Sequence, residues 1–259
     1  MTYTIAVVNE KGGVAKTTTV VSLAGAFVER GMDILTIDLD VQANLSMALG
    51  ISPNAIRRSI TDVLLNTTSP LHASRETSIP GLDLIPATDE MGMAERFLPI
   101  RQNYQWMLKN ALQGLNTYPF IILDCPPSLG AVTINALTAA DLLIIPTQAE
   151  YFSVHALKKT IKNINQIRQE TNPNLSYRIL ITMLDTRNRI HAILKDQIQI
   201  AFKGQTFNTV IGIDTKLRES SVAGLPINFF NSKCRSTLQY RLVAEEIIQN
   251  VFEKTPLQA

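Results

Sequence analysis

The chain is short of cysteine, aromatics and net charge. Its two cysteines, Cys125 and Cys234, lie far apart in 259 residues that hold three histidines in all. Without CxxC spacing or a histidine cluster beside them, a disulfide framework and a cysteine-built zinc site are excluded, and a reducing compartment is expected. Charged residues make up 18% against 46% hydrophobic ones, which excludes the polar, highly charged composition of a disordered chain. No apolar run reaches the length of a membrane span, and the opening MTYTIAVV leads into Asn9, Glu10 and Lys11 without a basic leader or a small-residue cleavage site. A cytoplasmic protein is expected. Finally, 24 Lys/Arg against 22 Asp/Glu leave a net charge of +2, which taken alone speaks against a nucleic-acid partner.

That average hides two opposed halves. Residues 1–150 carry nine Lys/Arg and 14 Asp/Glu, whereas 151–259 carry 15 and eight. Within 187–241, nine basic residues meet three acidic ones, Asp196, Asp214 and Glu219. Such asymmetry points to an anionic surface partner, with a merely solvated basic face as the plainer alternative.

Short apolar runs alternate with helix-length segments along the whole chain. The strands are expected at Thr4–Asn9, Ile34–Leu39, Leu82–Pro86, Phe120–Cys125, Leu142–Thr147, Tyr177–Leu184 and Thr209–Ile211. They are apolar on both faces, as strands buried in a parallel sheet are. Helices are expected at about 16–30, 101–115, 130–140, 152–171, 190–202 and 237–252. The order predicts a single doubly wound α/β domain over 1–259, a mostly parallel sheet flanked by helices, without interdomain linker. In such sheets the ligand sits beyond the carboxyl ends of the strands.

The first of those ends carries Glu10-Lys11-Gly12-Gly13-Val14-Ala15-Lys16-Thr17-Thr18. Gly12 and Gly13 let the backbone approach an anion, and the amides that open the next helix point at it. Lys16 would neutralise β- and γ-phosphates and the Thr17 hydroxyl would ligate Mg²⁺. A glycine turn that only starts a helix is the plainer alternative, disfavoured by the strand before, the helix after and the Lys-Thr pair in register.

KGGVAKTT resembles the deviant Walker A box, KGGxxK[ST], of the ParA/MinD group of P-loop ATPases. The resemblance implies that Lys11 is a signature lysine reaching phosphates held by a second subunit, and that Gly12 to Thr18 hold the nucleotide. Ala15 stands where the group more often has glycine, and it is expected to fit at a negative φ. Asp38-Leu39-Asp40-Val41-Gln42-Ala43-Asn44 is similar to the group's DxDPQ(A/G)N segment, with Val41 for the usual proline. Strand alternation is expected to put Asp38 and Asp40 on one face, and the resemblance makes Asp38 the residue that orients or activates the attacking water. Asp124-Cys125-Pro126-Pro127-Ser128 looks like the Walker B DxPP, in which Asp124 holds Mg²⁺ through water. Each acid taken singly has the alternative role of capping the helix that follows.

The second half looks like ParA-type proteins through Leu142–Tyr151, Ile181–Asp185, Thr209–Ile211, Leu217–Ser220 and Gly224–Pro226. Met183 and Ile213 are expected near the adenine, with Gly212 where such proteins often carry proline. The resemblance further implies a slow, partner-stimulated ATPase whose ATP-loaded homodimer binds nucleoid DNA without reading its sequence, while a cargo-bound adaptor triggers hydrolysis. Phosphate contacts need no recognition helix, and Lys216, Arg218, Lys233 and Arg235 are the leading DNA contacts. The chain starts at the phosphate-loop strand, so no N-terminal helix-turn-helix is expected. The cargo is a plasmid, a chromosome region or a carboxysome, and the departures at Ala15, Val41 and Gly212 point to a divergent branch such as the carboxysome-positioning one. Two competing readings are a MinD-like membrane ATPase, which would need a basic amphipathic tail where this chain has Glu245, Glu246 and Glu253, and a metabolic ligase such as a dethiobiotin-synthetase-like enzyme. Cys125 and Cys234 are read as structural thiols, and no membrane partner is expected.

Overall fold

β-Branched and aliphatic runs with no polar face have to be covered on both sides, and the chain does this by alternating strand and helix. In the computed structural model, which describes residues 2–52 and 56–253, the elements run β1 (Tyr3–Val7), α1 (Lys16–Val28), β2 (Ile34–Asp38), α2 (Asn44–Ala48), α3 (Ile60–Asn66), α4 (Pro70–Ala73), β3 (Arg75–Glu76), β4 (Leu82–Ile85), α5 (Met91–Phe97) and α6 (Met107–Leu112). They continue with β5 (Phe120–Asp124), α7 (Ala131–Ala139), β6 (Leu142–Gln148), α8 (Ser153–Thr171), β7 (Ser176–Thr182), α9 (Arg189–Ala201), α10 (Thr215–Val222), α11 (Ile227–Phe230) and α12 (Arg235–Glu253).

The seven strands form one sheet in the order β3-β4-β2-β5-β1-β6-β7. All neighbours are parallel except the two-residue β3, which pairs antiparallel with β4 at the edge. β1 lies inside the sheet between β5 and β6, and the chain leaves it for β2 on one side and later returns to build β6 and β7 on the other. This reversal opens a crevice at the carboxyl end of β1. One face of the sheet is covered by α1 and α12, through Val20, Leu23, Phe27, Tyr240, Val243 and Ile247. The other is covered by α3, α5, α7, α8 and α9, through Ile60, Met91, Ala136, Leu157 and Leu194. Phe27 stacks on Phe120 with centroids 4.4 Å apart, joining α1 to β5.

Two expected elements are different in the structure. Thr209–Ile211 is not a strand: it runs beside β7 with only isolated parallel bridges, Ile179 to Thr206 and Leu184 to Gly212. The Asn208 and Thr209 amides donate to the Glu246 carboxylate of α12, each at 2.9 Å, instead of to β7, so no continuous ladder forms. The helix expected from 101 to 115 is reduced to a 3₁₀ turn over Tyr104–Trp106 and α6, because Asn103 enters it with φ 56°. Six short helices, α2, α3, α4, α5, α10 and α11, occupy segments the periodicity left as connections; four to eight residues are too few to display a 3.6-residue repeat.

Candidate nucleotide site

The loop between β1 and α1 is pinned by side chains at its back. Buried Asn9 accepts from the Lys11 amide at 2.9 Å and donates to the Pro146 carbonyl at 2.6 Å, tying the loop to β6. The Gly13 carbonyl accepts from Gln148 Nε2 at 2.9 Å and the Val14 carbonyl from Thr182 Oγ1 at 3.1 Å. With carbonyls turned toward β6 and β7, the loop has its amides left for the crevice. The bond from Thr19 N to Ala15 O, 3.0 Å long, lies within the first turn of α1, so the amides before it belong to that helix's open end, where anions bind.

Gly13 takes φ 72°, which glycine adopts without cost. Ala15 takes φ 66° and ψ 37°, in the left-handed region. The expectation of a negative φ at this residue is therefore corrected: Ala15 is the N-cap of α1, and the chain must turn left-handed there to enter the helix. Ala43, at the start of α2, and Met183, just past β7, are also left-handed, with φ 50° and 54°. Two of these strained residues, Ala15 and Met183, line the cavity beside the phosphate loop, as strain does at functional sites.

Register brings the carboxylates together. Asp38 ends β2 opposite Asp124, which ends β5 and also pairs with Val7 of β1. Both are buried, at 0% and 1% exposure. Thr17 Oγ1 donates to Asp124 Oδ2 at 2.7 Å, while Asp124 Oδ1 has no hydrogen-bond partner among the described residues. Asp38 accepts from Ser46 N at 2.9 Å, Ser46 Oγ at 2.8 Å and Asp40 N at 3.1 Å. Burial pushes the Asp38 carboxyl up to about 6. Burial, and next the charge of Asp38, raises Asp124 well above the usual carboxylate range, against the opposing effects of Thr17 and Lys16. Two buried acids that resist ionising together, with one oxygen unpartnered and a hydroxyl alongside, fit a hard divalent cation. Asp40 does not share a strand face with Asp38, because β2 ends at Asp38; its carboxylate accepts from the Gln42 amide in the following turn.

The two lysines point differently. Lys16 Nζ lies 3.5 Å from the Lys11 carbonyl, folded over the loop. Lys11 extends outward to Glu150, Nζ to Oε2 2.5 Å, with both side chains about half exposed. Beside Glu150 stand Tyr151 and Phe152, 80% and 72% exposed, packed edge to face at 4.9 Å. No sequence signal set this aromatic pair apart from ordinary helix entry.

A cavity of about 250 Å³ continues from the loop, lined by Ala15, Thr18, Met183, Ile213 and Tyr240 among others. Met183 and Ile213 thus lie together next to the phosphate loop. Asp214, Leu217 and Arg218 line the same cavity and were not marked as nucleotide residues; the only clue to Asp214 was its place before a helix, whose Lys216 amide it caps at 3.0 Å. Gly212 packs under Arg235, where a Cβ would come within 3.1 Å of the guanidinium carbon, and its amide donates to Gln239 Oε1 at 3.1 Å, a bond that proline could not make. A larger cavity of about 490 Å³ lies beyond the Asp40 turn, with Gln42, Arg57, Arg58 and Asp89 on its walls, away from the phosphate loop.

The four basic residues proposed for DNA sit along α10 and the start of α12, and their side chains are not equivalent. Lys233 and Arg218 are exposed. Lys216 is paired with Glu219 at 2.6 Å, and Arg235 Nη2 donates to the Ile213 carbonyl. No helix of the described residues is long and apolar enough to cross a membrane, and both cysteines are free thiols.

A family model for an AAA domain matches residues 2–177. The chromosome partitioning protein ParA of Caulobacter vibrioides is 33% identical over 248 residues, which cover 94% of this chain and 93% of that protein. The sporulation initiation inhibitor protein Soj of Bacillus subtilis is 34% identical, covering 95% and 98%. The chain belongs to the ParA/Soj family of partition ATPases. As in that family, its chemistry is ATP hydrolysis with Mg²⁺. Among solved structures, that of cobyrinic acid a,c-diamide synthase from Mycobacterium smegmatis, bound to an ATP analogue and magnesium, is 31% identical with a TM-score of 0.88, covering 98% of this chain and 97% of that one.

Proposed function

We propose that the protein is an ATP-driven positioning ATPase of the cytoplasm, one domain in extent. Two ATP-loaded copies close on each other, the pair holds nucleoid DNA without reading sequence, and an adaptor on the cargo triggers hydrolysis and release. The observation that carries this reading is the division between the lysines. Lys16, Thr17, Asp124 and Asp38 converge on the crevice of one protomer, while Lys11 leaves it and stands half exposed beside the exposed Tyr151 and Phe152. A lysine placed there has a second copy as its natural target.

In this reading the loop from Gly12 to Thr18 binds the phosphates and Lys16 neutralises them. Met183 and Ile213 flank the base. Thr17, with Asp124 acting through water, would hold Mg²⁺, which supplies charge neutralisation at the β- and γ-phosphates. Asp38 positions the attacking water and takes its proton, a role suited to a carboxyl whose burial brings it to about 6. Hydrolysis is slow until the second copy delivers Lys11, so turnover reports assembly. Lys216, Arg218, Lys233 and Arg235 supply phosphate contacts, for which positive charge without base readout suffices. The cargo is a plasmid, a chromosome region or a carboxysome.

The decisive experiment is sedimentation of the wild type, Lys11→Ala and Lys16→Ala with and without MgATP, in parallel with binding to DNA of unrelated sequences. Loss of ATP-dependent dimerisation and DNA binding in both variants is expected; intact behaviour in either one sinks the sandwich reading.

A second reading, an ATP-dependent ligase acting on a carboxylate, is favoured by the name of the Mycobacterium smegmatis structure. It requires turnover that depends on a carboxylate or amine substrate and ignores DNA. A MinD-like membrane role has less support, because α12 spends Val243, Ala244 and Ile247 on the core and carries Glu245 and Glu246 where an interfacial helix needs basic residues.

A further inference from the structure

The sequence of α9, RIHAILKDQIQIA, has two apolar faces and only one core. Leu194 and Ile198 are buried against the domain. Ile190, Ile193 and Ile200 are 53%, 53% and 78% exposed, and with exposed Gln197 they fall at i, i+3, i+7 and i+10. That is the a/d spacing of a coiled-coil seam with one polar position, the arrangement by which a helix takes another helix. At 1.5 Å per residue the seam is about 15 Å long.

The charges beside the seam choose the occupant. Arg189 and Asp196, seven residues apart, line one flank of it, and exposed Lys203 follows two residues past the last residue of α9. Asp196 is already paired with Lys195 at 3.0 Å, which leaves a cation at each end of the seam. A second α9, laid antiparallel so that Ile190 meets Ile200 and Ile193 meets Gln197, would bring the Arg189 end of one copy to the Lys203 end of the other. Both ends then set cation against cation, which disfavours a second copy as the occupant. DNA is no better match, since three exposed isoleucines gain nothing from phosphates. We propose that α9 is a docking surface for an amphipathic helix of another protein, one with an aliphatic a/d seam and carboxylates opposite Arg189 and Lys203. The surface is separate from the crevice and stands whether or not the DNA-positioning reading does.

The test uses the full chain and two labelled synthetic helices of about four heptads, both with leucine at a and d. One carries glutamate at the positions facing Arg189 and Lys203, and the other lysine. Fluorescence anisotropy is expected to show the glutamate helix binding about three- to tenfold more tightly, because two exposed charge contacts change from repulsive to attractive. Ile193→Asp should abolish binding while leaving basal ATPase activity and the circular dichroism spectrum unchanged. The double variant Arg189→Glu, Lys203→Glu should reverse the preference between the helices. Equal binding of both helices, or of neither, overturns the proposal. So does ATP-independent self-association that Ile193→Asp removes, which would make the seam a homotypic contact. A loss of DNA affinity in Ile193→Asp as large as that of Lys216→Ala would assign the face to nucleic acid instead.

Discussion

Replacing Ala15 tests whether the phosphate loop is held in a strained shape. At φ 66° and ψ 37° the residue lies in the left-handed region, where an L-amino acid bears roughly 1–2 kcal/mol that glycine escapes. Ala15→Gly removes that strain but also loosens the unfolded chain, a cost of about 0.4–1 kcal/mol. The net expectation is a stability unchanged or raised by up to about 1.5 kcal/mol, read by urea denaturation of the protein without nucleotide. ATP affinity should be unchanged or better, because the backbone amides keep their direction. Ala15→Val puts a β-branched side chain where it fits worst; a further strain of about 1–2 kcal/mol corresponds to ATP binding roughly 5- to 30-fold weaker if it is expressed at the loop. Were Ala15 instead at an ordinary helical φ, Ala15→Gly would destabilise by about 0.5–1 kcal/mol. A destabilisation of that size, with Ala15→Val binding ATP normally, refutes the reasoning.

The carboxyl pair gives a pH signature. Burial holds Asp38 protonated up to about 6 against an ordinary value of 3.8, so the folded state binds the extra proton between those values. This contribution to stability is present in acid and is lost as pH rises through about 6. Denaturation of the nucleotide-free protein at pH 5 and pH 7 should show the fall, and Asp38→Asn should flatten it; an Asp38→Asn profile as steep as the wild type excludes Asp38 as the source. MgATP binding should release protons near pH 6, measured by calorimetry in buffers of different ionisation enthalpy. Asp38→Ala is expected to form an ATP dimer that holds DNA without turning over, and normal hydrolysis by this variant removes Asp38 from the mechanism. Lys216→Ala with Arg218→Ala should weaken binding alike on all DNA sequences and lower the salt slope by about one per lost phosphate contact; unchanged affinity returns these residues to a solvated face.

What could be read from the sequence depended on whether a residue's role is local or set by packing. The loop from Lys11 to Thr18 and the acids Asp38 and Asp124 are local, since each follows an apolar run that has to be a buried strand. Placing three strand ends side by side then needs only the parallel order of the sheet, and the register supplies the contact of Thr17 with Asp124. The left-handed turn at Ala15 was hidden because an alanine announces no positive φ; the need arises from the angle at which α1 must leave β1. The cavity residues Asp214, Arg218 and Tyr240 come from α10 and α12, which reach the crevice only after the chain has crossed β6 and β7, so no spacing in the sequence connects them to the phosphate loop. The same limit applies to charge. Counting basic residues over 187–241 locates a positive region, but it cannot show that Lys216 is held by Glu219 and Arg235 by the Ile213 carbonyl. Those two cations must exchange a partner before they touch a phosphate, whereas exposed Arg218 and Lys233 need not. If the region binds DNA, removing Lys233 or Arg218 should therefore cost more affinity than removing Lys216, an ordering that single alanine variants measured at one salt concentration will check.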